Sequence, residues 1–280
     1  MKKIIVDNLK YRYPSAQELA LKGISLEIEK GQFIGVIGPN GAGKSTLCQA
    51  LVGLVPHFYH GAYGGSVVVD GLEVLKSEIS ALALKVGLVF QNPFTQVTGA
   101  KLTVYDEVAF GLENMGLDRA EMIERIDRAL TLLDIYRYKD RNPFDLSGGQ
   151  MQRLAIASII AMKPQIIVLD EPTSQLDPQG SEEVFKAVDK LKSEGMTLVM
   201  VEHKIEKIAE YADKVALLSG GELVDFDRPV KVFSRTDLER YGVAAPVYTR
   251  ICRDLKIKDE KTGLYPITLE GAVAAVGSLE

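Results

Sequence analysis

The sequence predicts an α/β fold: a parallel sheet with helical connections, interrupted by one long helical insert. Three observations point there. Phe33-Ile34-Gly35-Val36-Ile37 is a continuous apolar run, the pattern of a strand buried on both faces, and Ile166-Ile167-Val168-Leu169 and Thr197-Leu198-Val199-Met200-Val201 read as buried strands. A glycine-rich loop, Gly38 to Thr46, follows the first run and opens a helix. From about Gln91 to Ala161 the character turns helical, and the β/α alternation resumes afterwards.

In chain order, Ile4-Ile5-Val6 and Ile24-Ser25-Leu26-Glu27-Ile28 read as strands, the second strictly alternating. The run 33–37 ends in the glycine loop, and Lys44 to Val52 reads as a helix. Ser66-Val67-Val68-Val69 and Val86-Gly87-Leu88-Val89-Phe90 are two further strands. In the insert, Met122, Ile123, Ile126, Leu130 and Leu133 recur at helical spacing. Thr103 with Asp106 marks a capped helix start. Leu154 to Ala161 is an apolar helix. A helix near Ser181 to Ser193 joins the last two core strands. Val215 to Val224, turning at Ser219-Gly220-Gly221-Glu222, is a hairpin. The tail from about Thr236 carries no motif, and its final Leu279-Glu280 is a pair that cloning can leave behind.

At 280 residues the chain suits one large domain with an appendage, or two small ones. Its 46% hydrophobic and 25% charged content is ordinary for a globular protein. A formal charge of -5 argues against a broad nucleic-acid surface, so no nucleic-acid partner is expected. The two cysteines, Cys48 and Cys252, form no CxxC and no metal spacing, which suits a reducing compartment. The apolar run at Ile4-Ile5-Val6 is too short for a signal peptide. The longest apolar stretch, Leu154 to Met162 broken by Ser158, is too short to span a bilayer. Work at a membrane therefore requires another subunit to bring the chain there.

Gly38-Pro39-Asn40-Gly41-Ala42-Gly43-Lys44-Ser45-Thr46 fits the phosphate-loop pattern between a strand and a helix. The glycines let backbone N–H groups face phosphates, and the helix N-terminus adds partial positive charge. Lys44 is expected at the β- and γ-phosphates and Ser45 at Mg²⁺. The run 166–169 delivers Asp170 to the sheet edge as a second Mg²⁺ contact and Glu171 as the group that orients or deprotonates the attacking water. Leu146-Ser147-Gly148-Gly149-Gln150 offers another set of N–H groups at a helix start. On spacing alone it also reads as a plain serine cap.

These motifs, with Met151-Gln152-Arg153 after the last of them, resemble the ATP-binding cassette (ABC) family, and the resemblance spans nearly the whole chain. It implies a RecA-like P-loop NTPase core with a helical subdomain insert and an antiparallel β subdomain. The cassette would occupy 1–235, with the insert at about 91–161, and 236–280 would be a C-terminal extension that contacts a dimer partner. It implies an ATPase that uses ATP and Mg²⁺. Ser147, Gly148, Gly149 and Gln150 would bind the γ-phosphate held by the partner's phosphate loop, in a head-to-tail dimer. By the same resemblance Gln91 senses Mg²⁺ and water, and His203 contacts the γ-phosphate. Ser174-Gln175-Leu176-Asp177 faces the opposite subunit. Tyr13 stacks on adenine, with Tyr11 as the alternative.

Gln91-Asn92-Pro93-Phe94-Thr95-Gln96 and Thr103-Val104-Tyr105-Asp106-Glu107-Val108-Ala109-Phe110-Gly111-Leu112-Glu113-Asn114 narrow the branch. They resemble the ATPase subunits of energy-coupling factor (ECF) transporters, which import vitamins, cobalt and nickel. Gln96 resembles the extra glutamine of that branch. The implied partners are a second ATPase subunit, identical or related, a transmembrane coupling subunit and a substrate-binding membrane subunit. The implied place is the cytoplasmic face of the cell membrane. A conventional ABC importer or exporter cassette is the alternative. A soluble ABC ATPase fits less well, because the chain has no heptad run and no CxxC. A P-loop kinase or GTPase leaves Leu146–Gln150 and His203 unexplained.

Overall fold

Two sheets and eleven helices are built from the described residues, 1–259 and 262–277, of the computed structural model. Leu279-Glu280 lies outside them. The six-stranded sheet has the order β10-β9-β3-β8-β7-β6. Its members are β3 (Phe33–Ile37), β6 (Val86–Val89), β7 (Ile166–Asp170), β8 (Thr197–Val201), β9 (Lys214–Ser219) and β10 (Glu222–Asp227). Five of these run parallel, and β10 closes the edge as the second arm of a hairpin with β9. The four-stranded antiparallel sheet has the order β2-β1-β4-β5, from β1 (Lys2–Arg12), β2 (Leu21–Glu29), β4 (Ala62–Val69) and β5 (Leu72–Glu73).

The continuous apolar runs are explained by what covers each face. In β3, β7 and β8, Phe33, Ile37, Ile167, Leu169, Leu198 and Met200 point to one core. Ile34, Val36, Ile166, Val168, Val199 and Val201 point to the other. Each face is covered, so neither set of alternate residues can be polar. The second core also holds α1 (Lys44–Leu51), through Leu47, Cys48 and Leu51, and the inner face of the small sheet, through Ile4, Val6 and Ile24. The first holds α7 (Pro178–Ser193), through Val184, Phe185 and Val188, and the helices of the insert. Full burial of a side chain such as Phe185 contributes roughly 1.5–3 kcal/mol.

The insert contains α4 (Val104–Asn114), α5 (Arg119–Leu132) and α6 (Gly148–Ala161). Thr103 caps α4 by accepting from the Asp106 N–H, and Asp118 caps α5. On α5 the apolar stripe is narrower than its spacing suggests: Ile126, Ala129 and Leu130 are buried, but Ile123 is 42% exposed. Short helical elements precede the insert or bridge to it: α2 (Leu54–His57) and α3 (Ile79–Ala83) lie between β-elements, and 3₁₀ turns span Val74–Lys76 and Pro93–Thr95. After the core come α8 (Ile205–Tyr211), α9 (Pro229–Phe233), α10 (Val247–Asp254) and α11 (Leu269–Gly277). The apolar strands begin or end about where periodicity places them, except that β1, β2, β4 and β10 are longer and β6 stops at Val89. Among the described residues no helix is long and apolar enough to cross a membrane.

Candidate functional site

The phosphate loop lies at the carboxyl end of β3, where its two neighbours, β8 and β9, end as well. Its glycines are required by geometry. Gly43, the residue before α1, sits at φ 96°, a left-handed conformation that costs side-chain-bearing residues energy. At Gly38 a Cβ would lie 2.1 Å from the Leu218 carbonyl oxygen, so the loop can lie on β9 only without one. The turn leaves the start of α1 open toward a concavity lined by Tyr13, Asn40, Gly41, Ala42, Gly43, Lys44, Ser45, Thr46, Gln91 and Glu171. Pro39 belongs to the same turn, its carbonyl accepting from the Ala42 N–H.

Lys44 is only 5% exposed. Its Nζ donates to the carbonyls of Gly38 (2.9 Å) and Pro39 (3.0 Å), so the ammonium curls back under its own loop. Burial lowers its pKa, opposed by the nearby Glu171 and Asp170 carboxylates. Asp170 is pushed up by burial and by Glu171, against a hydrogen bond from Ser45 and the charge of Lys44. Ser45 Oγ donates to Asp170 Oδ1 at 3.1 Å, which joins the loop to the end of β7. Two carboxylates and one lysine thus share a partly desolvated space where an arriving cation and anion would both be stabilised.

Glu171 follows β7 at φ 50° and is tied back by its N–H to the Val201 carbonyl (3.0 Å). A non-glycine residue there is uncommon and strained, a feature of functional sites. The kink turns the carboxylate toward Gln91 and His203. Gln91 Nε2 donates to Glu171 Oε2 at 2.8 Å, and His203 Nε2 lies 2.9 Å from Glu171 Oε1. Three residues far apart in sequence therefore meet on one carboxylate. Ser45, Asp170 and Gln91 supply only hard oxygen donors, the kind Mg²⁺ takes when phosphate and water complete its shell. Among the described residues no group of three or more His, Cys, Asp or Glu could hold a metal ion.

Of the two tyrosines, Tyr13 is the one that lines the phosphate-loop concavity. Tyr11 is fully buried, and its hydroxyl donates to the Tyr59 carbonyl. Tyr13 is half-buried, lines the loop concavity, and is fixed by its hydroxyl to Gln49 Oε1 (2.8 Å) and Thr46 Oγ1 (3.1 Å).

The signature segment is not brought to this concavity. Ser147, Gly148, Gly149 and Gln150 line a separate polar one with Arg137, Arg153, Gln175, Leu176 and Asp177, and the two share no lining residue. Ser147 is also the cap that a plain serine predicts: its Oγ accepts from the Gln150 N–H, and the Gln150 side chain accepts from the Ser147 N–H. Asp177 caps α7 by accepting from the Gly180 N–H at 2.7 Å. Gln96 links the halves, accepting from the Phe90 N–H (3.2 Å) and donating to the Ala155 carbonyl in α6 (3.0 Å).

Sequence reading missed Glu202 and the structural role of Arg153. Arg153 is buried, and it reaches from the Leu133 carbonyl (3.2 Å) to Glu183 (3.2 Å), so it pins the insert to α7. The signal for Glu202 was a charged residue directly after a fully buried strand.

Comparison with known proteins gives consistent findings. The family model for ABC transporter matches residues 21–174, over half the chain. The energy-coupling factor transporter ATP-binding protein EcfA1 of Lacticaseibacillus paracasei is 44% identical over 245 residues, covering 87% of this chain and 85% of that one. The solved structure of cbiO1 from Clostridium perfringens, part of the ABC transporter complex cbiONQ, superposes with a TM-score of 0.75 at 34% identity. It covers 85% of this chain and 93% of its own. An ATP-binding cassette solved as a dimer in a post-hydrolysis state with ADP and Pi has a TM-score of 0.70 at 28% identity, covering 81% of this chain and 98% of its own.

Proposed function

The chain belongs to the ABC transporter family as an ATP-binding, ATP-hydrolysing subunit, and we propose that it is the motor of an ECF-type importer for vitamins or transition-metal ions. The observation that carries the mechanism is the separation of the two phosphate-facing surfaces on one chain. Each is an incomplete nucleotide site. Two cassettes head to tail would complete two sites, each with Lys44 of one subunit and Ser147–Gln150 of the other.

In this reading Tyr13 stacks on adenine, and the N–H groups of Gly38 to Thr46 cradle the phosphates. Lys44 leaves the carbonyls of Gly38 and Pro39 to meet the β- and γ-phosphates. Ser45, Asp170 and Gln91 would hold Mg²⁺, which would neutralise phosphate charge. Glu171 polarises the attacking water, while Gln91 and His203 hold its carboxylate in place.

The membrane partner has a candidate seat. An apolar groove between the core and the insert is lined by Val52, Leu54, Ile79, Ala83, Phe90 and Ile159. It opens beside Gln91, where a docked membrane subunit would feel the state of the site. Val247 and Ile251 on α10 and Leu255 just after it form an exposed stripe four residues apart, and α11 exposes Leu269 and Val273. These faces suit a further contact between the extensions of the paired cassettes.

The test is purification from native membranes followed by uptake in proteoliposomes. The expected result is co-purification with a coupling subunit and a separate small substrate-binding subunit, and ATP-driven uptake of a labelled vitamin, cobalt or nickel. Ile79→Glu with Ala83→Glu should abolish co-purification while leaving ATPase activity of the isolated chain within about twofold, because surface changes away from the site perturb the fold little. Recovery with a permease that carries its substrate without a separate binding subunit would contradict the ECF reading.

A further inference from the structure

Glu202 is 2% exposed, directly after β8, and its carboxylate is fully engaged by neighbours outside the nucleotide concavity. Oε1 accepts from the N–H of His203 (3.0 Å) and of Lys204 (3.3 Å). Oε2 accepts from the hydroxyl of Thr173 at 2.8 Å, itself fully buried. Thr173 stands two residues after Glu171 and leads into Ser174–Asp177. Lys204 closes the circuit, its Nζ donating to the Thr173 carbonyl (3.3 Å) and to Ser181 Oγ at the start of α7.

We infer that Glu202 is a positioning residue for hydrolysis: it fixes His203 against Glu171 and ties that pair to the segment 174–177 that borders the signature surface. The inference rests on the proposed roles of Glu171 and His203. A buried carboxylate needs compensating donors, and here all three belong to the two loops that must stay in register. The His203 imidazole is exposed, with its Nε2 against Glu171 and its backbone N–H on Glu202. Removing the carboxylate would free its backbone and strand two N–H groups and a hydroxyl. The segment 174–177 borders the concavity that a second cassette would cover, so its position would reach His203 through Thr173 and Glu202.

The test compares Glu202→Ala, Glu202→Gln and Thr173→Val. Glutamine can still accept from both N–H groups, and the Thr173 hydroxyl can turn to accept from its amide, so Glu202→Gln should keep kcat within about threefold. Glu202→Ala should lower kcat by about thirtyfold with KM for ATP and calorimetric ATP affinity little changed, the scale expected for losing charge-assisted hydrogen bonds. Thr173→Val, which removes only the hydroxyl, should lower kcat by about fivefold. In a His203→Ala background, Glu202→Ala should add nothing, because both act through one group. A kcat loss that adds in full to His203→Ala, or ATP affinity that falls in parallel with kcat, would overturn the inference. So would wild-type kcat in Thr173→Val and Glu202→Ala. If Glu202→Ala does not fold, Thr173→Val and its cycle with His203→Ala decide the matter. Failure of the underlying reading looks different: Glu171→Gln would then remain active.

Discussion

Replacing Glu171 by Gln is expected to lower kcat for ATP hydrolysis by about a thousandfold while ATP affinity stays within about threefold, the scale of losing a general base. The amide keeps the shape and can still pair with Gln91 and His203, which contact the carboxylate at 2.8 and 2.9 Å. It cannot take a proton from water. The left-handed backbone at φ 50° belongs to the residue's place after β7 and survives the change. Ground-state contacts are thus preserved and only the reacting group is lost. Steady-state turnover near wild type, with binding checked by calorimetry, would remove Glu171 from the mechanism.

Lys44→Ala is expected to weaken ATP binding by about a hundredfold, as expected for removing a buried ammonium that makes several charge-assisted bonds to phosphate. It is the only lysine or arginine in the loop. Without nucleotide it stabilises the loop through the carbonyls of Gly38 and Pro39, so its removal also loosens the empty site. The nearby Asp170 and Glu171 carboxylates would then repel the phosphates without an opposing charge. Unchanged ATP affinity by calorimetry would contradict the phosphate-loop reading.

The parallel core was legible because β3, β7 and β8 are mainly apolar along their length, a consequence of two covered faces. The phosphate loop was legible because glycine spacing, strand and helix coincide. The convergence of Gln91, Glu171 and His203 was not a matter of local pattern. It follows from β6, β7 and β8 lying side by side and ending together, so only the family resemblance could name those residues in advance. Tyr11 and Tyr13 were indistinguishable by type. Tyr11 lies inside β1 and is buried in the core, whereas β1 ends at Arg12 and Tyr13, just beyond it, lines the site. Glu202 escaped notice because a single carboxylate after a strand normally ends in solvent. Its burial depends on the next two backbone N–H groups and on the Thr173 hydroxyl, 29 residues earlier in the chain.

The central claim is that one chain carries two half-sites which only a second cassette completes. The direct measurement is mass in solution of the Glu171→Gln protein with and without ATP, repeated with Ser147→Arg added. ATP should drive Glu171→Gln to a dimer, alone or with a second cassette. Ser147→Arg should abolish that dimer, since an arginine at the start of α6 would occupy the partner's γ-phosphate position. ATP binding at Lys44 should stay within about twofold, because the two surfaces are separate and distant sites are nearly independent. A double variant that dimerises as readily as Glu171→Gln, or a Glu171→Gln protein that stays single in every pairing, contradicts the shared-site account.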